Sequence, residues 1–414
     1  MKLLLLSSSI GYNGGGISSY GIDFLKLMHE KYDCYVLSGD NISDENKYLV
    51  KEVYQINTTD LSSKNANKFL DLVKLIEPCI IVNSNFQLFS VTIPYIDINI
   101  IKISISHFID GQLAVVAGFN FKYYNNIIAL SNEGKTFLEE YYNIKEIGKV
   151  IVIYNFYETY KGNNDLKINN KPLSITFPGG SSLHKNPKLV FSIVKALQKT
   201  TLPFKFYWLG NTKLPGNRVY NTGCISDLIE NDERIIFTNL IHRDKATDII
   251  KNSNIFLLPS KKEGCPISLL EAISFGTIPM VADSKHASSE LIKNDVTGFV
   301  LPENDANPYI NKIIDIINNH ENYVRFYASS RKLHVDKLSE EIWREHMLGL
   351  FKQVSKNILL PREFFNDTKY ENEKKKFLKK LFIERLKKIM QSINLFMFFS
   401  RTKLIIKIKQ FFNL

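Results

Sequence analysis

Two glutamates separated by seven residues, Glu263 and Glu271, stand in the string Pro259-Ser-Lys-Lys-Glu-Gly-Cys-Pro-Ile-Ser-Leu-Leu-Glu-Ala-Ile-Ser-Phe-Gly-Thr-Ile-Pro279. An apolar run of strand length, Ile255 to Leu258, precedes it. After Gly264 the pattern turns helical, with Ile267, Leu270, Ile273 and Ser274 on one side and Gly276 closing the segment. Pro266 suits a first helical turn, where its missing N–H has no partner to lose, and the amides of Cys265, Ile267 and Ser268 can then point at an anion. Two carboxylates are a poor choice beside a phosphate unless they hydrogen-bond hydroxyl groups on either side of it, as on a ribose and a sugar. The ligand this suggests is a nucleotide diphosphate-sugar. Spacing alone leaves a plainer reading open, a surface loop feeding an amphipathic helix whose glutamates are solvated.

The elements that would position this string read as a doubly wound α/β chain. With 414 residues the chain exceeds what one core usually organises, so two domains are expected. Leu3 to Leu6, too short for the apolar core of a signal peptide, reads as a first buried strand. The loop Gly11-Tyr12-Asn13-Gly14-Gly15-Gly16 and a helix through Tyr20, Phe24 and Met28 follow. Such a glycine loop can bring backbone amides to a phosphate, or be a flexible turn; it lacks the dinucleotide spacing, and no acidic residue clearly ends the second strand. The strand from Ile100 to Ser104 leads to His107, which lies on the ligand rim of such a sheet or satisfies a loop carbonyl. After a polar linker, Glu158 to Pro172, a strand from Leu173 to Phe177 leads through Pro178-Gly-Gly-Ser-Ser-Leu-His-Lys-Asn-Pro187 into a helix. Lys185 there could neutralise a leaving diphosphate, or be solvated.

The central string resembles the E-x7-E motif of the retaining glycosyltransferases of family four, through its Pro-Ser, Glu-Gly, Leu-Glu-Ala and Gly-x-x-Pro pieces. The resemblance runs from Met1 to about Lys356. It implies a GT-B fold, two Rossmann-like domains facing across a cleft, at 1–157 and 173–335, joined by a linker at 158–172 and followed by a helix at 336–357 and a tail at 358–414. It implies sugar transfer from a nucleotide diphosphate-sugar with retention, in cell-surface polysaccharide or glycoconjugate synthesis. By the same likeness Glu263, Lys185 and His107 are the catalytic candidates, and Gly15, Gly16, Gly264, Cys265, Ile267, Ser268 and Glu271 bind the donor. Gly180 replaces the arginine usual in the family, which leaves Arg243 as a candidate substitute. Of the family's Pro-Asn-Gly only Asn155 remains, and no catalytic role is assigned to it. The sequence offers no Asp-x-Asp cluster, so no metal and no cofactor beyond the co-substrate is expected.

Charge is concentrated at the end. From Lys369 to Leu414 there are thirteen Lys/Arg and three Glu, net +10, whereas residues 1–368 are near neutral at 40 basic and 39 acidic. Leu378, Phe382, Leu386, Ile389, Ile393 and Met397 recur every three or four residues among Lys375, Lys376, Lys379, Lys380, Lys387 and Lys388, the pattern of a helix in an anionic bilayer interface, with Phe396, Phe398 and Phe399 adding apolar depth. The alternatives are packing on the catalytic body or binding a partner. Four unpaired cysteines suit a reducing cytoplasm, so the expected location is cytoplasmic and peripheral at the inner membrane face. The acceptor could be a carbohydrate, a lipid-linked sugar or a protein; no nucleic-acid motif is present. Two other readings stay in view, a nucleotide-sugar epimerase on the same fold and a non-catalytic nucleotide-sugar-binding or membrane-docking partner.

Overall fold

Leu3, Leu4, Leu5 and Leu6 are fully buried, as an interior parallel strand covered on both faces requires. They form β1 (Lys2–Ser7), the centre of a seven-stranded sheet with β2 (Asp33–Ser38), β3 (Glu52–Gln55), β4 (Ile80–Ser84), β5 (Ile101–Ser106), β6 (Asn126–Ala129) and β7 (Val150–Val152), in the order β3-β2-β1-β4-β5-β6-β7. Leu5 lies opposite Val36 on one side and Val82 on the other. The second sheet contains β8 (Leu173–Phe177), β9 (Phe204–Leu209), β10 (Ile235–Asn239), β11 (Ile255–Leu258), β12 (Ile278–Ala282) and β13 (Phe299–Leu301), in the order β10-β9-β8-β11-β12-β13. In both sheets the winding reverses beside the first strand, between β1 and β4 and between β8 and β11, where doubly wound sheets bind ligands.

The computed structural model describes residues 1–11, 15–107, 111–145, 148–162, 172–213, 225–229, 231–284, 286–353 and 362–392. Most of the expected linker, Gly14 in the first loop, Cys224, and the tail positions Ile393, Phe396, Met397, Phe398 and Phe399 lie outside that set. Two compact units result, residues 1–127 with 354–414, and residues 128–353. In the second unit Trp208, fully buried, packs edge-on against Phe177 at 4.9 Å and donates its indole N–H to the Gly180 carbonyl at 3.1 Å. The core is thereby tied to the loop that carries Lys185.

In the first unit the C-terminal helix Asp367–Ser392 packs against the helices Ser63–Ile76, Gln87–Thr92 and Gly111–Gly118. Its buried seam is Tyr370 and Phe377, both fully buried, and Glu384, at intervals of seven. Tyr370 donates to the Leu61 carbonyl at 3.1 Å, and the Phe377 ring meets Phe119 edge-on at 5.2 Å. Leu378 and Phe382 lie outside this seam and stay 45% and 46% exposed. The periodicity of the sequence marked the outward stripe, and the docking stripe beside it went unseen.

Candidate functional site

Lys185 sits in the loop after β8 and Glu263 in the loop after β11, so the winding reversal brings them together. Lys185 Nζ lies 2.6 Å from Glu263 Oε1, an ion pair without hydrogen-bond alignment, and the two side chains are only 17% and 7% exposed. The loops are also tied through backbone, Lys261 N–H donating to the His184 carbonyl at 2.8 Å. Glu263 is therefore not the solvated glutamate of a plain surface loop. Desolvating such a pair costs several kcal/mol, about what its attraction returns, so its worth has to be sought in what else the lysine can hold. An ammonium has three donors, more than one carboxylate oxygen can engage.

Glu271 is likewise buried, on the helix Ile267–Ser274. Tyr157 donates its hydroxyl to Glu271 Oε1 at 3.1 Å, and the Thr247 hydroxyl donates to the same oxygen. Burial first, and Glu271 second, push the Tyr157 phenol upward, so it remains a donor. Arg243 opens the neighbouring helix Arg243–Asn252, and its charge acts on Tyr157 in the opposite sense. Arg243 thus stands at the Glu271 end of the site.

Two expectations for this helix are corrected. Pro266 is its cap, with extended backbone at φ −72° and ψ 118°, and the helical turn begins at Ile267. An extended cap is what turns the chain from loop into helix. Nor is the helix amphipathic: all residues from Leu269 to Ser274 are buried, because it contacts both the helix Arg243–Asn252 and the helix Val324–Lys337. Leu269 N–H reaches the Pro266 carbonyl at 3.0 Å, so the amides of Ile267 and Ser268 precede the intrahelical bonds, with Gly264 and Cys265 just before them in the chain. Burial pushes the Cys265 thiol up to about 12, which leaves it neutral and makes its backbone the useful part.

Asn155 belongs here as well. Its Nδ2 donates to the Cys265 carbonyl at 2.6 Å, while Asn155 Oδ1, Ser260 Oγ and Ser288 Oγ are buried without a hydrogen-bond partner. Unmade bonds at buried groups cost about 1–3 kcal/mol each. Asn155 was passed over because its neighbours depart from Pro-Asn-Gly; the retained asparagine itself was the available signal.

Gly180, where an arginine was missing, has φ +51°, and a Cβ there would lie 3.0 Å from the Asn211 carbonyl oxygen and 3.2 Å from its nitrogen. Backbone, not a movable side chain, closes this position. Gly180→Ala should therefore cost about 1–2 kcal/mol, read as a melting temperature lowered by a few degrees. Gly180→Arg, although it restores the residue usual in the family, should be no more active than the unaltered chain; higher activity at unchanged melting temperature would refute the steric account.

In the first unit β5 extends to Ser106, two residues past the expected end, and His107 follows directly. The Ser84 hydroxyl lies 2.8 Å from His107 Nε2, and the Tyr20 ring meets the imidazole edge-on at 5.0 Å. Burial lowers the His107 pKa to about 4, so the ring is neutral near pH 7. Tyr20 belongs to the helix Gly15–Met28, so this contact sets the first half of that helix against His107. Asp40, two residues past β2, accepts from Ser9 Oγ and Ile10 N–H at 2.6 Å each and from Ser38 Oγ at 2.9 Å. Burial pushes its carboxyl up, but these bonds outweigh it and hold the pKa below the ordinary value. It is the acidic residue that strand reading did not find, and it fastens the start of the glycine loop. Among the described residues no group of three or more His, Cys, Asp or Glu could hold a metal ion.

The two parallel, doubly wound sheets define a GT-B protein. Residues 161–333 match the family pattern of the glycosyl transferases group 1. The chain is similar to the UDP-Gal:alpha-D-GlcNAc-diphosphoundecaprenol alpha-1,3-galactosyltransferase of Escherichia coli, 35% identical over 74 residues, which are 18% of this chain and 19% of that protein. An uncharacterized glycosyltransferase of Haemophilus influenzae is 24% identical over 340 residues, 79% of this chain and 90% of the relative. Among solved structures, Anabaena HepE in complex with UDP-glucose superposes with a TM-score of 0.64 at 15% identity, covering 86% of this chain and 98% of HepE.

Proposed function

We propose that this chain transfers a sugar from a nucleotide diphosphate-sugar, a UDP-hexose or UDP-N-acetylhexosamine, to a lipid-linked acceptor with retention of configuration. The observation that carries this reading is the buried Lys185–Glu263 pair at 2.6 Å, set beside the opening of the Ile267–Ser274 helix. In the proposed roles Glu271, its Oε1 fixed by Tyr157 and Thr247, accepts from the ribose hydroxyls. Gly264, Cys265, Ile267 and Ser268 offer amides to the diphosphate, and Lys185 adds a point charge where negative charge grows as the sugar leaves. Glu263 accepts from a hydroxyl of the departing sugar, Gly15 and Gly16 offer amides from the first loop, and neutral His107 stands on the acceptor side. With helix and lysine supplying positive charge, transfer needs no divalent ion. The UDP base and the lipid-linked acceptor come from likeness to the galactosyltransferase and to HepE.

Incubation with a panel of nucleotide-sugars in excess chelator should show thermal stabilisation by UDP-sugars and, with a polyprenyl diphosphate-linked sugar, release of UDP. Stabilisation without turnover on any acceptor would favour a binding partner over an enzyme.

The same reading places the protein on the inner membrane face. No described helix is long and apolar enough to cross a membrane. The docked C-terminal helix instead presents Leu378 and Phe382 outward beside the exposed Lys375 and Lys376. Each basic residue near an anionic leaflet contributes about 1 kcal/mol. The full chain should float with anionic liposomes at low salt, and Leu378→Ser/Phe382→Ser should weaken flotation without altering the melting temperature; equal flotation of both proteins would remove this face from the account.

A further inference from the structure

A buried imidazole ties the loop of Glu263 to a helix far away in the chain. His286, four residues past β12, is 7% exposed, and both of its ring nitrogens face acceptors. Nδ1 lies 2.5 Å from Glu133 Oε2, and Nε2 lies 2.8 Å from the Lys261 carbonyl oxygen. A carbonyl can only accept, so Nε2 carries a hydrogen, and Glu133 orients the ring from its other side. Lys261 is the middle link. Its carbonyl takes the His286 bond, while its N–H donates at 2.8 Å to the carbonyl of His184, in the peptide that runs into Lys185. Glu263 follows Lys261 by two residues, so His286 reaches both loops of the 2.6 Å ion pair through the backbone of one residue. The anchor is itself held. Glu133 lies in the first turn of the helix Asn132–Tyr142, and the Glu290 carboxylate accepts the amides of Asn132 and Glu133 at 2.9 Å each. Glu133 therefore engages His286 through its side chain and Glu290 through its backbone, and a carboxylate at a helix start complements the helix dipole. Tyr154, which stands where the family has proline, donates its hydroxyl to Glu290 Oε2 at 3.0 Å. All of these residues belong to the second unit.

We infer that His286 is a positioning residue for the Lys185–Glu263 pair: its Nε2–H, aimed by Glu133, holds the Lys261 carbonyl and thereby sets the loop of Glu263 against the loop of Lys185. This inference rests on the roles proposed for that pair, and the experiment separates the two. A misplacement of about 1 Å can cost about 100-fold in rate, so His286→Ala should lower kcat about tenfold or more. Calorimetric affinity for UDP should stay near that of the unaltered chain, because Glu271 takes no part in the relay. Glu133→Gln should keep most of kcat, since a carboxamide can still engage Nδ1 while Nε2–H stays on the carbonyl. Glu133→Ala, at the more exposed end of the relay, 36% against 9%, should lower kcat in the same direction and serves if His286→Ala does not fold. In a Glu263→Gln background the same substitution should cost little further, as groups that act as a unit require. Full kcat in the folded variant, an equal loss of UDP affinity, the same fold loss in both backgrounds, or a loss in Glu133→Gln as large as in His286→Ala would overturn the inference. Should folded Glu263→Gln keep full kcat, or the unaltered chain transfer no sugar, the functional reading of the pair fails. The side-chain NMR signals of Lys185, expected to move in His286→Ala, then still decide the positioning role, and unmoved signals overturn it.

Discussion

Replacing Glu263 by glutamine should lower kcat by about 100-fold or more, with a smaller fall in melting temperature than loss of the lysine brings, because it keeps the shape of the side chain, removes the charge that faces Lys185, and leaves the more exposed partner, 17% against 7%, able to turn toward water. Electrostatic groups aimed at charge that develops in the transition state are typically worth 10²–10³ in kcat. The lysine behaves differently. Lys185→Met leaves a buried carboxylate without its cation, and breaking one side of a buried pair costs about 3–5 kcal/mol. Loss of activity in that single variant would therefore mix folding with chemistry. The double variant Glu263→Gln/Lys185→Met removes both charges, so it should recover the melting temperature and remain inactive. Steady-state kinetics and thermal melting across this cycle isolate the pair. Near-normal kcat in folded Glu263→Gln would contradict the role of the carboxylate.

Glu271 should control nucleotide affinity more than turnover. Its Oε1 is held by Tyr157 and Thr247, a geometry that aims the carboxylate. A hydrogen bond to a charged acceptor contributes about 1.5–3 kcal/mol, so Glu271→Ala should weaken UDP about 10- to 100-fold. Calorimetry with UDP and with a deoxyribose analogue gives the sharper test. The unaltered chain should discriminate between them and the variant should not; equal affinity of variant and unaltered chain for UDP would move the ribose elsewhere.

The parts of this molecule that were legible in the sequence are those set by local pattern. Apolar runs such as Leu3–Leu6 and Ile255–Leu258 are strands because parallel strands covered on both faces need nearly continuous hydrophobicity. The likeness to the group 1 family pattern over residues 161–333 was legible from the residue types around Glu263 and Glu271. What escaped depends on contacts between distant residues. Asp40 holds Ser9 and Ile10, some thirty positions away, and lies past the strand where an acidic residue was sought. The tail helix carries two apolar stripes, Tyr370 with Phe377 and Leu378 with Phe382, and periodicity cannot say which one docks. Gly180 reads as a lost arginine, whereas its left-handed backbone and the nearness of Asn211 require a glycine.

The claim that Lys185, Glu263 and the helix opening let a nucleotide diphosphate-sugar lose its sugar without a metal is tested most directly by the anomeric outcome of one reaction. An anomerically pure α-linked UDP-sugar is incubated with the protein, a lipid-linked sugar acceptor and excess EDTA, and the new glycosidic bond is assigned by proton NMR. The account predicts an α-linked product and stoichiometric UDP at an undiminished rate. A β-linked product, UDP-sugar returned as its epimer, or activity that appears only when magnesium or manganese is restored would contradict it.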